Sequence, residues 1–74
     1  MIDVTIHTDV IPLDAFLKWA GVADTGGLAK RMIADGTVSV NGAVCCQRGR
    51  KLRAGDRVTV GEETFAVRGG GNPT

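Results

Sequence analysis

The chain has 74 residues, 43% of them hydrophobic and 23% charged, with a formal net charge of +1. That length is one domain, able to bury roughly 60% of its unfolded surface, which leaves little room for a deep substrate pocket. No apolar run approaches the ~20 residues that span a bilayer, and Met1-Ile2-Asp3-Val4 lacks the basic start and apolar stretch of a signal peptide, so a cytoplasmic protein without membrane contact is expected.

Ile2, Val4 and Ile6 alternate with Asp3, Thr5 and His7, the period of a strand with one buried face. His7 then falls on the polar side as a solvated residue. Pro12 suits the first turn of a helix, and Leu13, Phe16, Leu17 and Ala20 follow at helical spacing until Gly21 can stop it. Trp19 is read as covering the edge of the core, with base stacking as the alternative.

Asp24 or Thr25 can cap a second helix by accepting from an amide of its first turn. Leu28, Ala29, Met32 and Ile33 form its buried face, and Gly27, Lys30, Arg31 and Ala34 lie on the other side. The N-terminus of this helix, with its free amides and partial positive charge, suits a phosphate; the alternative is that Gly26 and Gly27 only form a loop and a loose first turn. Gly36 fits the left-handed position after the helix.

Val38 and Val40 alternate with Thr37 and Ser39, and Asn41-Gly42 signals a type I′ hairpin turn. Val44 continues the returning strand. Leu52 and Val58 bracket a turn at Ala54-Gly55-Asp56, after which Val58 and Val60 are expected to pair with Phe65 and Val67 across Gly61-Glu62-Glu63. Residues 1–68 therefore read as one domain, and 69–74, with Gly69, Gly70, Gly71, Asn72 and Pro73, as a flexible tail.

Cys45 and Cys46 are adjacent, so on an extended segment one faces inward and the other outward. A disulfide between neighbours is strained, and zinc needs further ligands that the distant His7 does not supply. They read as free thiols of a reducing compartment, and no metal or other cofactor is expected.

Charge is unevenly spread. Up to Gly27, Asp3, Asp9, Asp14 and Asp24 outnumber Lys18; from Leu28 to Arg57, seven cations (Lys30, Arg31, Arg48, Arg50, Lys51, Arg53, Arg57) face only Asp35 and Asp56. Beyond, Arg68 meets Glu62 and Glu63. A basic centre on a helix and a hairpin can track phosphates, or the cations can simply solvate a surface. No nucleophile–base pair, phosphate loop or metal constellation is evident, so an enzyme is not expected.

The string from Lys30 through Ile33-Ala34-Asp35-Gly36-Thr37-Val38-Ser39-Val40-Asn41-Gly42, followed by Leu52-Arg53-Ala54-Gly55-Asp56-Arg57-Val58, resembles the S4 RNA-binding domain, named for the fourth protein of the small ribosomal subunit. Leu13-Asp14 and Leu17 match its first helix, Thr25 stands where the family carries a small hydroxyl residue, and Ala29 matches its small helix residue. The likeness covers residues 11 to 60. Gly26-Gly27-Leu28-Ala29-Lys30 and Arg48-Gly49-Arg50-Lys51-Leu52 look like the small stand-alone bacterial members. Pro12 departs from the pattern, because many members place an RNA-facing arginine there.

The resemblance implies an α+β fold, with two short helices on a small, bent, mainly antiparallel sheet of the S4, alpha-L-like type. It implies a monomer that binds structured RNA, with ribosomal RNA the favoured partner, on a ribosomal particle or beside a separate RNA-modifying enzyme. It also implicates Thr25, Lys30, Arg31, Asn41, Arg48, Arg50 and Lys51 in RNA binding, although Asn41 can equally serve the turn alone. Two other readings compete: a protein-interaction adaptor on ribosomal particles, and a ubiquitin-like sulfur carrier suggested by the hairpin and by Gly69-Gly70-Gly71, against which Asn72-Pro73-Thr74 follow.

Overall fold

The computed structural model describes residues 1–69. In chain order they form β1 (Ile2–Thr5), β2 (Ile11–Pro12), α1 (Leu13–Trp19), α2 (Gly26–Ala34), β3 (Val38–Val40), β4 (Ala43–Val44), β5 (Lys51–Leu52), β6 (Arg57–Val60) and β7 (Glu63–Arg68). A five-stranded sheet has the order β1-β7-β6-β3-β4, parallel only between β1 and β7, and β2 pairs with β5 as a separate antiparallel ribbon. The expected architecture of two helices on a mainly antiparallel sheet is what the chain adopts. Of the segment read as a tail, residues 70–74 lie outside the described residues.

Both helices bury a stripe on the same face of the sheet. Leu13, Phe16 and Leu17 of α1 and Ala29 and Ile33 of α2 join Val38, Val40, Val58, Phe65 and Val67 in one core. No polar or charged side chain among the described residues is buried, so this core is held by apolar burial and close packing rather than by internal polar networks.

The boundaries of α1 depart from the sequence reading. Pro12 is not in the first turn but precedes it, with φ −64° and ψ 148°. It ends β2 opposite Lys51, a place that tolerates a residue without an N–H donor. The helix stops as expected: Gly21 has φ +79°, and the amides of Val22 and Ala23 both turn back to the Leu17 carbonyl at 2.9 and 3.1 Å.

Thr25 rather than Asp24 caps α2, its Oγ1 accepting from the Leu28 amide at 3.1 Å. On this helix Ala29 and Ile33 are buried and Met32 partly so, but Leu28 is 42% exposed. Leu28 thus falls outside the face expected to be covered, because contact with α1 and the sheet shields only one side of the first turn.

Asn41 (φ 51°) and Gly42 (φ 88°) form the expected turn between β3 and β4 with both central residues left-handed. The last hairpin is tighter than expected. Val58 pairs with Phe65, but Val60 faces Glu63, which belongs to β7 rather than to the loop. Val67 lies beyond the end of β6 and pairs with Val4 of β1, while its N–H and C=O engage Asp56 and Gly55 at 2.9 Å each. A strand of six residues beside one of four must find its remaining partners elsewhere.

At the N-terminal edge, Ile6 is buried and Val4 half-buried, whereas Ile2 is 45% exposed. The alternation read from Ile2 to Ile6 therefore reaches the core only at its C-terminal end.

Candidate nucleic-acid interface

Two backbone hydrogen bonds decide where the basic loop sits. The Leu13 amide donates to the Arg50 carbonyl at 2.8 Å, and the Asp14 amide to the Arg48 carbonyl at 3.1 Å. These are first-turn donors that a helix cannot satisfy internally, so the loop caps α1. The Arg50 amide returns to Gln47 at 3.1 Å, closing a turn through Arg48 and Gly49. With the carbonyls engaged inward, the side chains of Arg48, Arg50 and Lys51 are all exposed, while Leu52 is fully buried. The same bonds occupy the α1 amides, so that helix end is not a free anion seat.

Lys30 and Arg31 are exposed on α2, flanked by the likewise exposed Gly27 and Ala34, opposite buried Ala29 and Ile33. Beneath them, α2 packs on α1, the helix that also holds the basic loop. Thr25 is committed through both oxygens: Oγ1 accepts from Leu28, and its carbonyl accepts from the Ala29 amide at 3.1 Å.

Asn41 joins two turns. Its Nδ2 donates to Asp56 Oδ1 at 3.2 Å, and its Oδ1 accepts from the Arg57 amide at 2.9 Å. Its own amide donates to the Arg57 carbonyl at 2.8 Å. The other Asp56 oxygen accepts from the Arg53 amide at 3.0 Å. The structural reading of Asn41 thus has three hydrogen bonds behind it.

The charge pattern is asymmetric. Arg68 pairs with Asp3 at 3.2 Å across exposed surface, and this is the one ion pair among the described residues. Lys30, Arg31, Arg48, Arg50, Lys51, Arg53 and Arg57 are all exposed and none has a carboxylate partner among those residues. The positive middle of the sequence is therefore not neutralised by ion pairs among the described residues. Arg53 and Arg57, outside the residues singled out from sequence, flank Asp56 in the turn that Asn41 clasps. Their signal in the sequence was membership of the basic run; only the fold places them beside Asn41.

Cys45 is buried and Cys46 exposed, both as free thiols, which matches their alternation. Among the described residues no group of three or more His, Cys, Asp or Glu side chains could hold a metal ion, and no helix there is long and apolar enough to cross a membrane. Trp19 lies at the edge of the core, beside Ile6 and Ile11. It is 56% exposed, its Nε1–H donates to the Thr5 carbonyl at 2.8 Å, and His7 meets its ring edge-on at 6.1 Å.

The chain is similar to several known proteins. The sequence model of the S4 domain matches residues 4–68. A probable ribosome maturation protein, RlbA of Bacillus subtilis (strain 168), is 42% identical over 57 residues, or 77% of this chain and 80% of that protein. The solution structure of YbcJ from E. coli, described as revealing an ALFAL motif involved in RNA-binding, superposes with a TM-score of 0.63 and 33% identity, covering 90% of this chain and 84% of that one. The 30S ribosomal protein S4e from Thermoplasma acidophilum shares the fold at 19% identity and a TM-score of 0.61, with 80% of this chain covered and only 31% of that longer chain.

Proposed function

Because the chain belongs to the S4 domain family, we propose that it is an RNA-binding module that recognises structured ribosomal RNA during ribosome maturation in the cytoplasm. The observation that carries this reading is the set of exposed cations without carboxylate partners among the described residues, two of them on a loop whose carbonyls are fastened to α1. Fixing the backbone inward leaves the guanidinium groups outward, where they can meet phosphates at reduced ordering cost.

In this reading Lys30 and Arg31 bind phosphates from α2, and Arg48, Arg50 and Lys51 grip the adjacent strand. Thr25 holds the start of α2 in place, and Asn41 fixes the turn geometry. Backbone contacts set register and carry little sequence information, so selectivity comes from RNA shape, such as a junction or bulge, with any unstacked base reached by an arginine. The relatives lend support: one is named for ribosome maturation and another for an RNA-binding motif. The sulfur-carrier reading rested on a hairpin that lies within the S4 family match and on Gly69-Gly70-Gly71, which lie beyond it; Gly70 and Gly71 also lie outside the described residues.

Crosslinking in cells with sequencing of the attached RNA tests the proposal, comparing wild type with Lys30→Glu/Arg50→Glu. A discrete ribosomal RNA peak that the folded double variant loses is the expected result. In vitro, neutralising about four phosphates gives a log–log salt slope of roughly −3. A peak indifferent to the substitutions, or attachment to particles that survives nuclease and high salt, would instead indicate a protein adaptor.

A further inference from the structure

The helix-and-loop surface leaves Arg57 without a role. Along β6, Val58 points into the core and is fully buried, so Arg57 and Thr59 point to the opposite face of the sheet. Across the ladder, Thr64 of β7 faces Thr59 on that same outer side. There an open groove of about 600 Å³ is lined by Asn41, Gly42, Gly55, Arg57, Thr59 and Thr64.

We propose that this groove is a second contact for the ribose–phosphate backbone of the bound RNA, with Arg57 on a phosphate and the Thr59–Thr64 pair on ribose hydroxyls. The inference rests on the RNA-binding reading above and extends it to the far face of the sheet.

Four features fit that ligand. First, Arg57 is exposed and has no carboxylate partner among the described residues, whereas Arg68, an exposed cation of the same sheet, is held by Asp3. Second, the Thr59 and Thr64 hydroxyls lie 3.2 Å apart and satisfy each other only once. One O–H and spare lone pairs remain for a 2′-hydroxyl, which both donates and accepts. Third, Gly42 and Gly55 leave bare backbone in the lining: nothing lies within 4 Å of where a Cβ would stand, and φ values of +88° and +100° disfavour any side chain there. A sugar–phosphate chain can therefore approach closely. Fourth, the base of Arg57 is already fixed, because Asn41 bonds both its N–H and its C=O.

The Asp56 carboxylate next to the groove is the nearby opposing charge, but its two oxygens are each taken by an N–H, from Asn41 and Arg53. The lining offers no large apolar side chain for a protein anchor, and such anchors dominate protein–protein contacts.

The test uses the full chain with short bacterial ribosomal RNA hairpins and DNA copies of the same hairpins, measured by filter binding over a range of salt. Arg57→Gln leaves both backbone bonds to Asn41 in place; it should weaken RNA binding about tenfold and reduce the salt slope by about 1. Arg68→Gln should stay within about twofold of wild type, since that guanidinium is already paired. Thr64→Val should narrow the preference for RNA over DNA while leaving DNA affinity unchanged.

If Arg57→Gln behaves like Arg68→Gln while Lys30→Gln/Arg50→Gln abolishes binding, the groove is overturned and the helix-and-loop surface stands. An unchanged RNA-to-DNA ratio in Thr64→Val overturns the ribose contact. Wild-type protein that binds none of the hairpins in a salt-dependent manner overturns both proposals.

Discussion

The carboxamide of Asn41 spans two turns far apart in sequence, giving a hydrogen bond to Asp56 Oδ1 at 3.2 Å while taking one from the Arg57 amide at 2.9 Å. The β3–β4 hairpin and the turn before β6 are thereby locked together at one end of the sheet. An Asn-Gly turn needs only left-handed backbone at its two central residues; here the first of them also supplies a tertiary clasp.

Asn41→Gly separates these two functions. Glycine keeps the positive φ, so the hairpin survives, but both side-chain bonds are lost. The variant should be destabilised by about 1–2 kcal/mol, read as a lower urea midpoint at unchanged slope. A midpoint equal to wild type would mean that the clasp contributes nothing beyond turn geometry.

Thr25 permits a test of cap against contact. Thr25→Ala removes the acceptor for the Leu28 amide and should cost about 1 kcal/mol. Thr25→Asp restores an acceptor and adds a charge favourable to the helix N-terminus, yet it repels RNA. Stability at or above wild type together with weakened RNA binding is the expected outcome for Thr25→Asp. Undiminished RNA binding would confine Thr25 to capping.

The two thiols should differ in reactivity. Cys46 is exposed and Cys45 is 7% exposed within the core. Native protein treated with iodoacetamide should carry one adduct, on Cys46, by peptide mass spectrometry, with Cys45 labelled only in denaturant. Equal labelling under native conditions would show that the segment opens readily.

Trp19 guards an edge. Ile6 donates to Arg68 of β7, so the neighbouring Thr5 carbonyl points outward from the sheet, where the indole N–H meets it at 2.8 Å. Trp19→Phe keeps a ring but removes the donor, and should cost about 0.5–1.5 kcal/mol by circular dichroism in urea. No change in midpoint would show that water replaces the indole without loss.

Local elements were legible because their causes are local. Leu13, Phe16 and Leu17 at helical spacing, Gly36 after α2, the Asn41-Gly42 turn and the alternation of Val38 and Val40 with Ser39 each act within a few residues, and each appears where the pattern put it. That one of the adjacent cysteines faces inward and the other outward followed from alternation; that Cys45 is the buried one was decided by the fold. The basic character of residues 30 to 57 was equally plain, since charge is a property of composition.

What the sequence could not contain are relationships set by packing between distant segments. Pairing of β2 with β5 involves two residues on each side, too short for any period to show. The exposure of Leu28 depends on how α2 leans on α1, not on its hydrophobicity. The register that sets Val58 opposite Phe65 and Val60 opposite Glu63, with Val67 beside Val4 of β1, is fixed by pairing on both sides of β7.

The interface divides in the same way. That Lys30, Arg31, Arg48, Arg50 and Lys51 form the basic set was written in residue types. That the loop is held by its carbonyls to the first amides of α1, and that Arg57 stands on the outer face beside Asn41, was decided by the tertiary structure. Backbone donors and acceptors are the same at nearly every position, so a bond between them leaves no mark in the sequence until the fold brings the two segments together.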